Sequence, residues 1–191
     1  MSGGSFGFAD IMSLNPNATN ITGWTVINNE MAWLEGATTF NLPPSDGNRS
    51  LDLTGFSDSS PFGGVSQILS TEIGKEYNLM FDLGATTRGS SPIVAITASA
   101  DSFSQVFSRN NFQSVQTWET FTFNFTATDT ETTISLIGNT GQTYIGLDNV
   151  VLEESNSVSV PESSNILGLI LVGGGFIFTG IKCKNHKEEE N

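Results

Sequence analysis

The chain has 191 residues and a formal net charge of −13, with 20 acidic side chains against seven lysines and arginines. Most of the acidity lies before residue 161, which argues against nucleic acids and anionic lipid headgroups as partners, because both need clustered basic residues. The only cysteine and the only histidine are Cys183 and His186, near the C-terminus. The preceding residues therefore have no side chains for a disulfide, a thiolate, a histidine-based triad or a His/Cys zinc site.

Residues 1–153 predict one all-β domain, because Thr, Ser and Phe are abundant between Gly- and Asn-rich turns and no long segment has helical periodicity. Six segments have strand patterns: residues 50–54, 77–83, 93–98, 121–125, 134–136 and 147–152. The period-2 alternation is cleanest in residues 121–125, and residues 93–98 are apolar enough for a central strand. Strands at this spacing predict a two-sheet antiparallel sandwich.

Three side chains in this domain are candidates for sugar binding, which usually combines an exposed aromatic ring with polar groups around it. Trp33 lies in the best such cluster, residues 28–35, and packing in the core is the equal alternative. Arg88 and Arg109 lie in polar segments predicted as loops, where an ordinary solvated side chain is the competing interpretation. Trp24 and Trp118 lie in alternating segments, which favours core packing for both.

Catalysis has little support in the sequence. Glu153 and Glu154 are adjacent, so in a strand they point to opposite faces and cannot flank one glycosidic bond. Carboxylates distant in sequence could still meet in the fold. We therefore predict a protein that is not an enzyme, with a glycoside hydrolase or lyase as the least favoured alternative.

The C-terminal segment has the composition of a membrane-directed tail. A polar linker, residues 154–159, leads to residues 160–191, in which residues 166–181 carry no charge. As a helix those residues would span about 24 Å, against about 30 Å for the hydrocarbon core of a bilayer. A basic membrane stop follows, formed by Lys182, Lys184 and Lys187. Lysines at this end of the run predict that the C-terminus lies in the cytoplasm.

The order of these parts, with the motif Val160, Pro161 and Glu162 in front, resembles the PEP-CTERM sorting signal of bacterial surface proteins. The resemblance implies processing by an exosortase, which would remove the membrane helix of an inner-membrane-anchored precursor. It departs from the usual pattern at Ser163, where a second proline is common. Residues 1–6 do not form an export signal, so we expect that the start lies upstream or that this copy is truncated.

An ordered set of segments also resembles the choice-of-anchor C family, a group similar to galactose-binding-like jelly rolls. The matching segments are residues 21–26, 47–53, 64–67, 74–83, 118–127 and 147–150. The resemblance implies a two-sheet antiparallel jelly roll with a non-catalytic role at the cell surface. It also implies that Asp46 and Asp148 could be ligands of a structural Ca²⁺. Gly7 stands where relatives often carry an acidic ligand, so we expect no cofactor.

Taken together, the sequence predicts an exported protein of the cell envelope or extracellular matrix that binds or organises polysaccharide. Its partners would be extracellular polysaccharide and an exosortase-type enzyme, with the membrane as a transient anchor and no nucleic acid. A self-associating structural surface protein is the main alternative.

Overall fold

The computed structural model describes residues 11–36, 43–86, 93–110, 117–142 and 144–155. Within these ranges the chain forms eleven β-strands and no helix. The strands are β1 Ile11–Leu14, β2 Thr25–Ile27, β3 Met31–Glu35, β4 Arg49–Asp52, β5 Gly64–Ser70, β6 Glu76–Ala85, β7 Ile93–Ala100, β8 Phe103–Asn110, β9 Thr117–Thr126, β10 Glu131–Thr140 and β11 Gly146–Glu154.

The strands form two antiparallel sheets. Sheet A has the order β1-β3-β4-β11-β6-β9, and sheet B has the order β2-β5-β10-β7-β8. The chain changes sheet at most connections, as expected for a jelly roll. The antiparallel two-sheet architecture predicted from the sequence is confirmed, and β7, expected to be central, lies between β10 and β8.

The main core fills the space between the two sheets. On β6 the side chains of Tyr77, Leu79, Phe81 and Leu83 all point inward, with exposed fractions from 0 to 8 %, as the alternation of the sequence predicts. Phe107 of β8 packs edge-on against Phe81, with 5.4 Å between ring centroids. The regular pairing of β6 with β9 places the alternating phenylalanines of β9 against this row.

A second, smaller cluster lies on the outer face of sheet A. It contains Ala32, Leu34 and Tyr144, with Ile11 and Trp118 packed against it. Asp52 is buried on this same face of the hairpin, opposite Ala32. Its Oδ1 accepts hydrogen bonds from the backbone N–H groups of Thr54 and Ile145, and burial raises the pKa of the Asp52 carboxyl to about 7.

The predicted sorting motif, the membrane helix at residues 166–181 and the basic stop all lie outside the described residues. The sandwich belongs to a compact unit, Met1–Ser157, and Val158–Asn191 is a separate unit. In the part of the chain that the structure describes, we find no helix with the length and apolarity needed to cross a membrane.

Candidate functional site

A cleft opens on the inner face of sheet A, at the side of the sandwich where β3 and β4 lie. The β3–β4 pairing sets Trp33 opposite Leu51, and the β4–β11 pairing sets Leu51 opposite Leu147. These three side chains form a row across three strands. On β3 the inward positions run from the fully buried Met31 to the half-buried Trp33 and Glu35, so the core thins toward this end. Trp33 therefore forms part of the floor of the cleft.

The opposite wall of the cleft comes from Ile21 and Trp24, which precede β2, and from Val65 of β5. Trp24 is half-buried, so it both packs against the main core and lines the cleft. The cleft has a volume of about 180 Å³. Two of the three tryptophans of the chain thus face one small cavity.

Among the described residues, Arg49 is the cationic side chain that lines this cleft. Its guanidinium carbon lies 4.3 Å from the centroid of the Trp33 ring, which is cation–π geometry. Its Nη2 lies 2.7 Å from Oε2 of Glu35, the residue directly opposite on β3. Both partners remain more than one third exposed, with side-chain values of 38 % and 37 %. Arg49 is thereby held over the aromatic ring while part of its guanidinium remains accessible to a ligand.

Asp148 and Asn149 line one end of the cleft with their backbone, while their side chains lie on the outer face of sheet A, beside Asp82. Oδ2 of Asp148 accepts hydrogen bonds from the backbone N–H groups of Ser45 and Asp46, at 2.8 and 3.2 Å. Its Oδ1 accepts one from the N–H of Asn149 at 2.8 Å. Asn149 has a positive φ of 49°, where the β11–β6 pairing shifts register. Asp148 therefore holds the segment before β4 against β11.

These contacts bear on the metal ligands suggested by the sequence. The structure does bring Asp46 and Asp148 together, but through the backbone N–H of Asp46. An oxygen ligand of Ca²⁺ directs a lone pair at the ion, whereas the oxygens of Asp148 are directed at N–H donors. Among the described residues, no group of three or more His, Cys, Asp or Glu side chains is placed to hold a metal ion.

Arg109 lies on β8, at the end of sheet B opposite β2, and its side chain contacts protein groups outside the cleft. It belongs to strand β8, so the predicted loop is wrong at this position. Its Nη1 donates to the carbonyl oxygens of Leu83 and Thr117, and its Nη2 donates to the Thr117 hydroxyl. The side chain is 8 % exposed, and burial lowers its pKa while the nearby Glu119 raises it. Arg109 connects β8 to sheet A.

The family comparison concerns the whole sandwich. A family model described as "Protein of unknown function (DUF642)" matches residues 7–151, which is most of the chain. The chain belongs to the DUF642 family. The comparison with curated protein sequences gives no match.

Solved structures similar to this DUF642 chain include several described by carbohydrate binding. One is described as "CBM4 structure and function", at 18% identity, covering 75% of this chain and 86% of that one, with a TM-score of 0.40. Another is the CBM22-1 xylan-binding domain of Paenibacillus barcinonensis Xyn10C, at 13% identity, covering 77% and 96%, with a TM-score of 0.48. The Podospora anserina GH26-CBM35 β-(1,4)-mannanase matches at 15% identity over 76% of this chain and 28% of that one, with a TM-score of 0.46. Because every one of these TM-scores is below 0.5, these likenesses assign no ligand to the DUF642 chain.

The structure thus separates the three sugar candidates. Trp33 lies in the cleft, Arg109 is buried in contacts with the protein itself, and Arg88 lies outside the described residues. Trp24 packs against the core as the sequence predicts, but sequence reasoning missed its place in the cleft and missed Arg49 altogether. The sequence pattern does not reveal the second role of Trp24, because a tryptophan that packs with one edge and lines a cavity with the other has the same strand pattern as a fully buried one.

Proposed function

We propose that this DUF642 chain is a non-catalytic surface or extracellular protein that binds a neutral polysaccharide through the cleft between Trp24 and Trp33. The observation that carries the proposal is the meeting of two half-buried indole rings and one partly exposed guanidinium in a single cavity. Sugar rings have an apolar face that stacks on aromatic side chains and a rim of hydroxyls that needs hydrogen-bond donors and acceptors. Trp24 and the part of Trp33 that Arg49 leaves uncovered supply the apolar contact, and Arg49 supplies hydrogen-bond donors.

The volume of the cleft favours a short section of the polymer. Pockets for drug-sized ligands measure about 300–1,000 Å³, whereas this cleft measures about 180 Å³. A cavity of this size suits about one sugar ring. We therefore propose that the cleft takes a chain end or a side-branch sugar of the polysaccharide, with the rest of the polymer outside.

The charges around the cleft favour a neutral sugar. Glu35 balances Arg49 at 2.7 Å, so the cleft presents no unbalanced cation to a ligand. A net charge of −13 on the chain repels polyanions. The same pairing supports a non-catalytic role, because the Glu35 carboxylate is occupied by Arg49.

The export and sorting part of the proposal depends on the sequence of residues 160–191 alone. It predicts that the mature protein in the cell envelope lacks the hydrophobic run at residues 166–181. Intact-mass measurement on the protein recovered from the envelope tests this prediction. A mature chain that retains residues 166–181 would contradict processing.

The binding proposal is tested by calorimetry on the purified full chain with neutral oligosaccharides from glucan, xylan and mannan. We expect one of these to bind, and we expect Trp24→Ala and Trp33→Ala each to weaken binding by at least about tenfold, or 1.4 kcal/mol. Trp118→Phe is the matched control, because Trp118 donates its indole N–H to the carbonyl of Pro43, outside the cleft. Equal losses in all three variants, or no binding by the wild type, would contradict the proposal.

Self-association is the second candidate function, and the edge of sheet B favours it. Among the strands that the structure describes, β8 has a neighbour on one side only, and it pairs with β7 without a bulge from Phe103 to Asn110. Phe103 and Val106 are about half exposed on it, and it contains no Pro or Lys of the kind that usually protects edge strands. Light scattering against concentration distinguishes the two functions: Val106→Lys would prevent oligomers if β8 mediates them.

A further inference from the structure

The pairing of β4 with β11 ends inside sheet A, at the cleft. Strand β4 pairs with β3 along its whole length. With β11 it pairs only at Leu51 and Asp52, which lie opposite Leu147 and Gly146. Both strands continue beyond the Leu51–Leu147 pair. The backbones of two strands therefore part at this point, and each presents an edge to the gap between them.

Strand β11 bulges directly after it leaves β4. Beyond Asp148 its register with β6 shifts, so that Asn149 and Val150 lie opposite a single residue of β6. Asn149 has a φ of 49°, in the left-handed region, and the residues of a β-bulge are left partly unpaired. Residues 147–150 line the cleft together with residues 49–51 of β4. Because a strand edge presents N–H and C=O groups in the plane of its sheet, this end of the cleft is lined by backbone polar groups.

Two carboxylates hold this Asn149 bulge from the outer face of sheet A. Oδ1 of Asp148 accepts a hydrogen bond from the backbone N–H of Asn149 at 2.8 Å, and Oδ2 of Asp82 accepts one from its Nδ2 at 3.2 Å. Asp82 is 5 % exposed, and the Thr120 hydroxyl donates to its Oδ1 at 2.6 Å. Asp82 does not line the cleft. It contacts the bulge from behind.

The stability of the sheet does not account for this arrangement. Like charges directly opposite each other on neighbouring strands destabilise a sheet, and Asp82 and Asp148 are such a pair. A left-handed backbone is also unfavourable for a residue other than glycine, although Asn tolerates it better than most. Features of this kind persist where the surrounding structure fixes them, and they cluster at ligand-binding sites.

We propose that the Asn149 bulge is the hydrogen-bonding wall of the cleft, and that Asp82 is the positioning residue that holds it. The proposal rests on the sugar binding proposed above and adds a recognition element to it. Sugar hydroxyls both donate and accept hydrogen bonds, so they pair with the N–H and C=O groups at the gap while Trp24 and Trp33 contact the apolar face. Because the bulge is fixed before the ligand arrives, its groups bind at a lower entropic cost than mobile side chains.

The test is calorimetry of the full chain with neutral oligosaccharides from glucan, xylan and mannan, using two substitutions at Asn149. Valine is β-branched and disfavours the left-handed conformation, whereas glycine adopts it freely. We expect Asn149→Val to weaken binding about tenfold, the net value of one or two hydrogen bonds, and Asn149→Gly to stay within about threefold of the wild type. Asp101→Val is the matched control, because Asp101 has the same φ of 49° and its side chain also accepts a backbone hydrogen bond, from Thr133, away from the cleft.

A third substitution, Asp82→Ala, alters no residue that lines the cleft. It removes the acceptor of the Asn149 side chain and also removes the like charge opposite Asp148. We expect binding to weaken by about threefold or more, because the bulge is no longer held. Urea denaturation of the same preparation should show a free energy of unfolding that is unchanged or higher. Normal affinity in this variant, whatever its stability, would show that Asp82 has a structural role alone.

The outcomes separate the bulge from the cleft. An Asn149→Val variant that loses no more affinity than Asp101→Val overturns the bulge proposal, and so does an Asp82→Ala variant that binds normally. Failure of the cleft itself shows differently, as a wild type that binds none of the oligosaccharides, or as Trp24→Ala and Trp33→Ala variants that bind normally, and the bulge proposal then falls with it. Thermal unfolding verifies that each variant is folded. If Asn149→Val is not, Asp82→Ala alone decides the test.

Discussion

Two arginines, Arg49 in the cleft and Arg109 at the β8–β9 side of the sandwich, show how differently one residue type is used in this fold. Arg49 lies over the Trp33 ring with its side chain 38 % exposed. Arg109 is 8 % exposed and donates to two carbonyl oxygens and one hydroxyl of the protein. The two terminal nitrogens of Arg109 are therefore engaged by protein oxygens, whereas the guanidinium of Arg49 remains accessible beside aromatic rings.

The largest change in the free energy of unfolding is expected when Arg109 is replaced. Arg109→Met removes the donors of three hydrogen bonds and leaves their acceptors, in Leu83 and Thr117, without this partner. We expect a loss of about 2–4 kcal/mol in the free energy of unfolding, because unsatisfied buried acceptors and lost charged donors are costly. Urea denaturation measures it. Sugar affinity of the folded variant should stay unchanged, and a stable variant with weakened affinity would reverse the roles of the two arginines.

A second prediction concerns Asp52, which lies behind the cleft on the outer face of sheet A. Its folded-state pKa of about 7 exceeds the ordinary value of 3.8, so the folded protein binds more protons than the unfolded chain between these values. Its contribution to stability is therefore full below about pH 4 and is lost as the pH rises through about 7.

The Asp52→Asn variant removes this titration while keeping the shape of the side chain. We expect it to be more stable than the wild type at pH 8, by on the order of 2 kcal/mol, with the difference shrinking toward pH 4. Unfolding measured at several pH values tests this. Parallel stability profiles for the two proteins would show that Asp52 ionises normally.

Arg49→Met is the counterpart of the Arg109 variant. We expect it to reduce sugar affinity more than it reduces stability. The methionine keeps an apolar stem over Trp33 but removes the cation and the ion pair with Glu35. We expect a stability loss under about 1 kcal/mol, because the pair is exposed, and a loss of sugar affinity of about three- to tenfold. Calorimetry and urea denaturation on the same preparation give both numbers. A variant with reduced stability and normal affinity would make Arg49 a structural residue like Arg109.

The smallest effect is expected for Glu35→Gln, which keeps a hydrogen-bond acceptor opposite Arg49 but removes its charge. Exposed ion pairs contribute about 0–1 kcal/mol, so stability should change by less than about 0.5 kcal/mol. Sugar affinity should change by less than about threefold. A tenfold loss of affinity would show that Glu35 itself contacts the sugar.

The sequence predicts the sandwich well because its strong signals are local. The alternation of Tyr77, Leu79, Phe81 and Leu83 follows directly from the period of a strand, and the structure buries all four. Arg109 shows where local signals fail. An edge strand with one neighbour has mostly exposed positions, so the polar residues around Arg109 look like a loop.

The cleft is harder to predict from the sequence because it depends on the register in which β3 and β4 pair. Glu35 and Arg49 meet only because β3 and β4 pair with Trp33 opposite Leu51. The connection between these strands, residues 36–48, has no pattern that sets this register in advance.

The most direct test of the central claim uses the three tryptophans as internal probes. In a ¹⁵N-labelled chain, each indole N–H gives one signal, which can be followed while a neutral oligosaccharide is added. We predict that the Trp24 and Trp33 signals shift and saturate with the same affinity, and that the Trp118 signal, whose N–H is bonded to the carbonyl of Pro43, stays in place. A saturable shift of Trp118 with Trp24 and Trp33 unmoved would contradict a sugar-binding cleft between β3, β4 and the segment before β2.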